Sequence, residues 1–410
     1  MNVEILIYCY LAICLSMIVF NCIAMLVFRR KDYEMEHGSR KLEDTIWEQI
    51  AQLRNGQEIE EAHTRYLSRK LKHLRNLMIL DEAMSRILEQ NREAAEEYLY
   101  QIRGIFEGLA VEYMKKERMK TAYFAYLLSR YYSDRESILI RDIMLQLMHE
   151  ESLYCRENAL KYIYRRGEVA TVTEALRIIN ENNFFHHTKL LTDGLLTFTG
   201  DHEELIRKFW SELDMFQESL QIAVLNYIRF CSGNYCKSMY DVMVDENRPK
   251  EVRYAAIRYL GKYYYLPAKS RLIAYAVSVQ PEWEYAAISA GSLAIYPGED
   301  TIAALKTALK SQNWYTRTNA AKSLSELDVS YVEMIDIWNG SDRYAREMAQ
   351  YYRDLRRVRE LEKQDALNEQ QLKAALQKAE DDAIARQVSE TLSQQLEQLE
   401  AAAGKEEEQV

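Results

Sequence analysis

The sequence is poor in residues that break helices, with only 4 prolines and 13 glycines among 410 residues. No stretch alternates apolar and polar residues for long enough to predict a β-strand. The six cysteines include no C-x-x-C pair, so they predict neither a disulfide framework nor a zinc ribbon. These absences favour an all-α fold in a reducing compartment.

Motifs for common catalytic and cofactor sites are also absent. The chain has no G-x-x-x-x-G-K-[ST], no G-x-G-x-x-G after a predicted strand and no H-E-x-x-H. His186, His187 and His202 are the strongest metal candidates, but no carboxylate or cysteine lies at a recognisable ligand spacing. We therefore predict no catalytic, cofactor-binding or metal residue, and we expect that the protein is not an enzyme.

Charged residues are missing from positions 5 to 28 (ILIYCYLAICLSMIVFNCIAMLVF). As a helix these residues would extend about 36 Å, enough to cross a hydrocarbon core of about 30 Å. Arg29, Arg30 and Lys31 follow at once, so the positive-inside rule predicts an external N-terminus and a cytoplasmic body. A cleaved signal peptide is disfavoured because a basic n-region and a small-x-small site are missing. We expect a single-pass cell-membrane protein, and the short N-terminus favours a bacterial inner membrane.

A short pattern recurs along most of the remaining chain, and it is clearest at Val252-Arg253-x-x-Ala256-x-x-Tyr259-Leu260-Gly261. The residues equivalent to Arg253, called markers below, are Arg156, Lys189, Gln221, Arg253, Glu284, Arg317 and Arg346. Successive markers are 33, 32, 32, 31, 33 and 29 residues apart. The residue three positions after each marker is small or compact, so these positions should face a neighbouring helix. Periods of this length indicate a solenoid of stacked helical hairpins.

The pattern resembles HEAT repeats, whose second helix typically reads Val-Arg-x-x-Ala-x-x-Ala-Leu-Gly. The resemblance covers roughly residues 120 to 355 and implies an armadillo-like α-solenoid. In that family the arginine usually joins a ladder of polar contacts between repeats, which Gln221 and Glu284 would interrupt here. Because such solenoids perform many unrelated tasks, the resemblance predicts the fold and not an activity.

The predicted fold class is all-α, with an N-terminal single transmembrane helix, a helical linker, a HEAT-like α-solenoid and a long C-terminal helix. The predicted segments are a transmembrane anchor with a basic stop (1–31), a juxtamembrane helical linker (32–97), the repeat solenoid (98–355) and an acidic helical or partly disordered tail (356–410). In the linker we expect a short helix ending at Asn55-Gly56 and a second helical segment from about 58 to 91. The predicted first helices of the repeats are 138–149, 168–182, 201–213, 234–244, 266–279, 300–310 and 329–339. The tail carries a thin apolar seam, Ile384 to Leu399, suited to pairing with another helix as a coiled coil.

Two sets of residues are candidates for contacts with other molecules. Candidates for lipid headgroup contact are Arg29, Arg30, Lys31, Arg65, Arg69, Lys70, Lys72 and Arg75. The alternative is an ordinary solvated face, because acid before base along this segment suits the helix macrodipole. Candidates for a protein-partner surface are Arg258, Lys262, Tyr263 and Tyr264, which mix aromatic and cationic groups. The alternative is that Tyr259 and one of the later tyrosines belong to the core.

The favoured hypothesis is a membrane-tethered cytoplasmic scaffold that binds a protein partner, itself membrane-associated, through the solenoid surface. A second hypothesis is an enzyme or enzyme-accessory subunit resembling the HEAT-like bilin lyases. A third is a homo-oligomeric membrane structural protein that assembles through its tail and anchor. Nucleic acid is disfavoured as a partner because the formal net charge is −10.

Overall fold

The computed structural model describes residues 3–115, 118–132, 137–278 and 282–407. These residues form 20 α-helices and three short 3₁₀ helices, and no β-strand occurs among them. The predicted all-α fold is therefore confirmed. The chain divides into two compact units, one comprising residues up to Tyr235 with Glu246–Ala255, the other Cys236–Asp245 with the residues from Ala256 onward.

The helices of the first unit are α1 Val3–Arg54, α2 Glu61–Lys70, α3 Leu74–Gln90, α4 Arg92–Gln101, α5 Arg103–Tyr113, α6 Arg118–Tyr131, α7 Ile138–Leu147, α8 Leu153–Arg166, α9 Val169–Glu181, α10 Thr188–Leu195, α11 His202–Glu212 and α12 Glu218–Cys231. The second unit contains α13 Cys236–Val244, α15 Lys269–Ala276, α16 Trp283–Ser292, α17 Glu299–Ala308, α18 Trp314–Glu326, α19 Ile335–Trp338 and α20 Arg343–Glu407. The boundary between the units falls within α14 Lys250–Leu260.

α1 is one continuous helix, whereas the sequence predicted a membrane helix followed by a separate short helix. Gly38 is the single glycine in this stretch, and there is no proline. Gly38 stays helical where α3 comes close: a Cβ built on it would lie 3.0 Å from the Ile79 side chain. The helix ends at Asn55-Gly56, as predicted, and Gly56 has a φ of +75°. The segment predicted to be helical from 58 to 91 divides into α2 and α3.

The apolar part of α1 supports the predicted membrane span. Among the described residues, one helix is long and apolar enough to cross a membrane, with a mean hydropathy of 2.6 over its most apolar window. The residues of that window make no buried contacts within the protein. A surface of this apolar character is stable where lipid replaces water.

The hairpins predicted from the repeat pattern are present in the structure. Six of the seven predicted first helices begin and end within three residues of observed helices, although residue 279 of one prediction lies outside the described residues. The seventh, predicted at 329–339, is reduced to the short α19. α20 confirms the long C-terminal helix, and the side chains of its predicted seam from Ile384 to Leu399 lie outside the described part.

Within each unit, successive second helices lie side by side and successive first helices form another layer. In the first unit, the Thr192 hydroxyl of α10 donates to the Ala223 carbonyl of α12 at 3.1 Å. In the second unit, the Ser323 hydroxyl of α18 donates to the Ala290 carbonyl of α16 at 2.7 Å. Such short polar side chains let neighbouring helix backbones approach and also satisfy buried hydroxyl groups.

The small residues of the repeat pattern form a buried column, as predicted. The residues three positions after the markers are all buried: Ala159, Thr192, Val224, Ala256, Ala287, Ala320 and Ala349. Six positions after the markers, Tyr227 and Tyr259 are fully buried. Gly261 ends α14 where a Cβ would lie 2.8 Å from the Ser292 Cα atom. The small residues of the repeat pattern therefore lie where neighbouring helices are in close contact.

Candidate functional site

Three of the markers, all arginines, close the turn inside their own hairpin. The Arg156 guanidinium donates to the Glu150 carbonyl at 2.6 Å, six residues earlier in the chain. Arg317 and Arg346 make the same contact, with the carbonyls of Ser311 and Gly340 respectively. A side chain that reaches back six residues satisfies a carbonyl in the turn, so the recurring cation has a structural role.

Two markers also contact the next hairpin. Arg317 forms a bidentate ion pair with Asp342, with both N···O distances at 2.9 Å. Asp342 also caps α20 by accepting from the Ala345 amide at 3.0 Å, and the arginine holds the pKa of this carboxyl below its usual value. In the first unit, the buried Arg156 donates to His186 Nε2 at 2.9 Å. Each contact is local to one pair of hairpins.

The three histidines singled out as metal candidates have separate partners. His186 lies between Arg156 and Glu157, with its Nδ1 atom 2.9 Å from the Glu157 carboxylate. His187 Nδ1 caps the start of α10, and His202 Nδ1 lies 2.7 Å from the Tyr227 hydroxyl. Within the described residues, no group of three or more His, Cys, Asp or Glu side chains is placed to hold a metal ion. His186 and His202 are therefore packed polar groups, and the exposed His187 caps a helix.

The residues predicted as a partner surface lie at and just after the end of α14. The Tyr263 ring is 4.8 Å from that of the buried Tyr259, and the Tyr264 ring is 5.0 Å from that of the buried Tyr296. Lys262 lies over the Tyr263 ring, while Tyr264 remains exposed. The half-buried Arg258 precedes them on the last turn of α14. Both tyrosines thus pack on core rings, and the predicted partner surface stays a prediction.

A stronger candidate is an aromatic groove between α18 and α20, a cleft of about 730 Å³. Its lining residues are Gln312, Trp314, Arg317, Tyr344, Glu347, Met348 and Tyr351. Trp314, Tyr344 and Tyr351 are 60%, 71% and 59% exposed. The Tyr315 ring packs against Trp314 and also stacks on Trp283 of α16, so the aromatic surface extends across three neighbouring second helices.

The local sequence explains why these rings face outward. Asn313 caps α18 by accepting from the Thr316 amide at 3.1 Å, so Trp314 occupies the first turn before the buried column begins. On α20, Tyr344, Met348 and Tyr351 are spaced by four and three residues and so share one face. Ala345 and Ala349 lie on the neighbouring face and pack inward. The groove was not predicted from the sequence, because such a stripe usually indicates a core face.

The charges at the rim of the groove are neutralised within the protein. Arg317 pairs with Asp342, and Glu347 pairs with Arg343 at 2.6 Å. The groove therefore offers aromatic and thioether surface without an excess of either charge. Exposed tryptophan and tyrosine side chains beside a partly accessible methionine in a concave site are typical of protein-binding surfaces.

The candidate headgroup residues lie in two places that the fold brings together. Arg29, Arg30 and Lys31 are exposed on α1 just beyond its apolar part. The others lie on α2, in its connection to α3 and at the start of α3, and all are exposed: Arg65, Arg69, Lys70, Lys72 and Arg75. Arg75 reaches α1, where its Nη2 atom lies 2.7 Å from a Glu34 oxygen. Arg65 lies about one helical turn before Arg69 on α2.

A second cavity, of about 410 Å³, lies between α1, α2 and α3. Leu42, Leu67 and Leu71 form apolar walls, and Lys41 and Lys70 are among the polar lining residues. His63 also lines the cavity, with its Nε2 atom 2.7 Å from the Tyr98 hydroxyl. Burial lowers the pKa of His63, which keeps the ring neutral near pH 7. Because this histidine already has a buried hydroxyl partner, the cavity gives the enzyme hypothesis little support.

No protein-family model and no curated protein matches this chain. The features that bear on function are therefore the aromatic groove, the apolar part of α1 and the basic residues beside it.

Proposed function

We propose that the protein is a membrane-tethered helical-repeat adaptor whose aromatic groove binds an apolar segment of a protein partner. The observation that supports this proposal most strongly is the exposure of Trp314, Tyr344 and Tyr351 around one cleft. Large exposed rings are costly in water and mark interaction sites when they are grouped. The partner segment should be apolar or aromatic because the rim charges are already paired.

The tether supports the proposal by raising the local concentration of partners in the same membrane. Three aromatic side chains of about 200 Å², each roughly 60% exposed, offer about 9 kcal/mol of burial before association costs. Those costs are of similar size, so the groove alone would bind weakly. Confinement to one membrane gives an effective concentration that makes weak binding sufficient.

The orientation and the family are part of the same proposal. Arg29, Arg30 and Lys31 favour a cytoplasmic body and an external N-terminus, as in a bacterial inner-membrane protein. The marker spacing, the buried small column and the paired helices within each unit support membership of the HEAT-repeat class. In such proteins the second helices provide the binding surface, which is where the aromatic groove lies.

Affinity purification of the full-length chain from a mild detergent extract tests the proposal. The test variant combines Trp314→Ala, Tyr344→Ala and Tyr351→Ala, and the matched control is Tyr154→Ala, a tyrosine 77% exposed on α8 of the other unit. We expect a reproducible membrane or membrane-associated partner that wild type and control retain and the triple variant loses. A partner retained equally by a folded triple variant would refute the groove as its binding site.

Self-assembly remains a second candidate because α20 extends far beyond the last hairpin and exposes apolar side chains. Leu361, Leu367 and Leu372 are all exposed on this helix. Pairing of two such helices would cover them. The mass of the protein in detergent, measured with and without residues 361–410, tests this candidate. A drop to the monomer mass on truncation would support it, and an unchanged mass would exclude the tail as the assembly element.

A further inference from the structure

We propose that a basic corner of the first unit docks on anionic phospholipid headgroups. The basic corner comprises residues 29–34 of α1 and residues 69–75 at the end of α2 and the start of α3. This inference depends on the membrane tether of the proposed function and identifies the surface that sets how the body lies against the bilayer.

The depth of the corner follows from the continuity of α1. Glu34 is six residues beyond Phe28, or about 9 Å along a helix. The headgroup layer extends about 5–7 Å beyond each side of the hydrocarbon core. Arg75 is in contact with Glu34, so the start of α3 lies within one Debye length, about 8 Å, of the headgroups. The exposed Tyr33 ring lies at the same level, where interfacial tyrosines are common.

Packing between α1 and α3 holds the corner at this depth. Gly38 and Ile79 bring the two helices into close contact one turn beyond Glu34. Farther along, Arg86 of α3 donates to Glu43 at 2.6 Å and to the Ser39 hydroxyl at 2.9 Å on α1. The corner therefore moves with α1.

The charge of the corner is strongly one-sided. Residues 29–34 and 69–75 contain seven lysines and arginines and two carboxylates, Asp32 and Glu34, and Glu112 of α5 adds a third carboxylate in contact with Lys72. The acidic start of α2 lies at the other end of the linker, because Glu60 contacts Gln49 and Gln52 near the end of α1. Gln52 is 18 residues beyond Glu34, or about 27 Å farther along α1. The folded linker is thus basic toward the bilayer and acidic away from it.

The helix macrodipole explains only part of this arrangement. Arg69 and Lys70 lie in the last turn of α2, where cations are favourable. Arg75, however, lies in the first turn of α3, where the macrodipole disfavours a cation. Ion pairs with Glu34 and Glu112 offset part of the cost, yet Arg75 and Lys72 stay 55% and 48% exposed. The macrodipole therefore does not explain the position of Arg75, which an anionic surface facing the corner would stabilise.

Hydrogen–deuterium exchange on the full-length chain in lipid nanodiscs tests this proposal. One set of discs contains phosphatidylcholine alone, and the other contains phosphatidylcholine with phosphatidylglycerol. Each cation near an anionic surface contributes about a fivefold bias toward docking. We therefore expect the amides of residues 69–76 to exchange at least about tenfold more slowly in the anionic discs. Salt at 1 M should remove the difference, because the Debye length falls to about 3 Å.

A charge-neutralised variant and a matched control show whether the effect depends on these side chains. The variant is Arg69→Gln with Lys70→Gln and Lys72→Gln, and it should lose most of the lipid-dependent protection. The control neutralises three exposed cations elsewhere in the same unit: Arg92→Gln, Lys161→Gln and Arg207→Gln. It should keep the protection, while exchange in α7–α12 reports that both variants are folded.

The outcomes separate this inference from the tether. A chain that inserts into discs but exchanges equally at 69–76 in both lipids overturns the basic corner and leaves the tether intact. A chain that does not insert into discs overturns the tether and the basic corner together. Protection that the control variant also loses refutes the assignment to residues 69–72.

Discussion

Replacement of Arg317 by alanine should destabilise the α18–α20 region, because this marker joins a turn and the next hairpin. The Arg317 side chain is only 15% exposed, and its guanidinium forms a bidentate ion pair with Asp342 and donates to the Ser311 carbonyl. Hydrogen bonds to charged groups contribute about 1.5–3 kcal/mol each, and a partly buried ion pair is costly to break. We expect Arg317→Ala to lower the free energy of unfolding by about 2–4 kcal/mol.

A lysine at position 317 shows how much of the lost stability is due to the charge and how much to the geometry of the guanidinium. Arg317→Lys keeps the cation but loses the fork that contacts both Asp342 oxygens, so about 1–2 kcal/mol should still be lost. Arg343→Ala is the matched control, since Arg343 is 77% exposed and pairs with Glu347 on the same helix. Exposed pairs of this kind contribute about 0.3–0.5 kcal/mol.

Denaturant unfolding of the full-length chain in detergent, followed by circular dichroism, gives the overall loss. Hydrogen exchange in α18 and α20 gives the local loss of stability. This second measurement is needed because two compact units can unfold separately. If Arg317→Ala were no more destabilising than Arg343→Ala, the structural role assigned to the markers would be wrong.

Three other changes test the packing and the electrostatics of the repeats. Ala256→Leu should cost about 1–3 kcal/mol in thermal or denaturant unfolding because the residue is fully buried in the column, whereas the exposed Ala303→Leu should change stability by less than about 0.5 kcal/mol. Gly261→Ala should destabilise, since its Cβ would meet the backbone of the next repeat, while Gly108→Ala, with open space around it inside α5, should stabilise by about 0.5–1 kcal/mol. The arginine partner lowers the pKa of Asp342, so its stabilisation is present above the ordinary aspartate pKa of about 3.9 and is lost as the pH falls through the lower folded value. The free energy of unfolding, measured at a series of pH values, should therefore differ less and less between wild type and Arg317→Ala below about pH 4. A difference in this free energy that stays constant down to pH 2 would contradict the ion pair.

The hairpins were predictable because their sequence signals are local and repeated. Small residues three positions after each marker, such as Ala256 and Ala320, are buried wherever the pattern occurs. The continuity of α1 was not predictable, because Gly38 usually suggests a break, and its contact with Ile79 depends on tertiary structure. The segment from 58 to 91 was likewise predicted as one helical segment, but the turn at Leu71–His73 divides it.

The aromatic groove could not be predicted from the sequence for a different reason. Tyr344, Met348 and Tyr351 have the spacing of a core stripe, and spacing alone does not show which of two adjacent faces is covered. In the structure, the small residues Ala345 and Ala349 lie inward, so Tyr344 and Tyr351 remain exposed and Met348 is half-buried. Partner surfaces on helical repeats are recognised only after the inward face has been assigned.

Site-specific photo-crosslinking in native membranes tests the adaptor proposal most directly. A photoreactive phenylalanine analogue would replace Tyr344 or Tyr351 in the aromatic groove, with Tyr154 as the exposed control position. We predict one discrete adduct with a membrane or membrane-associated protein from both groove positions and none from the control. No adduct from either groove position, or the same adducts from all three positions, would contradict the proposal.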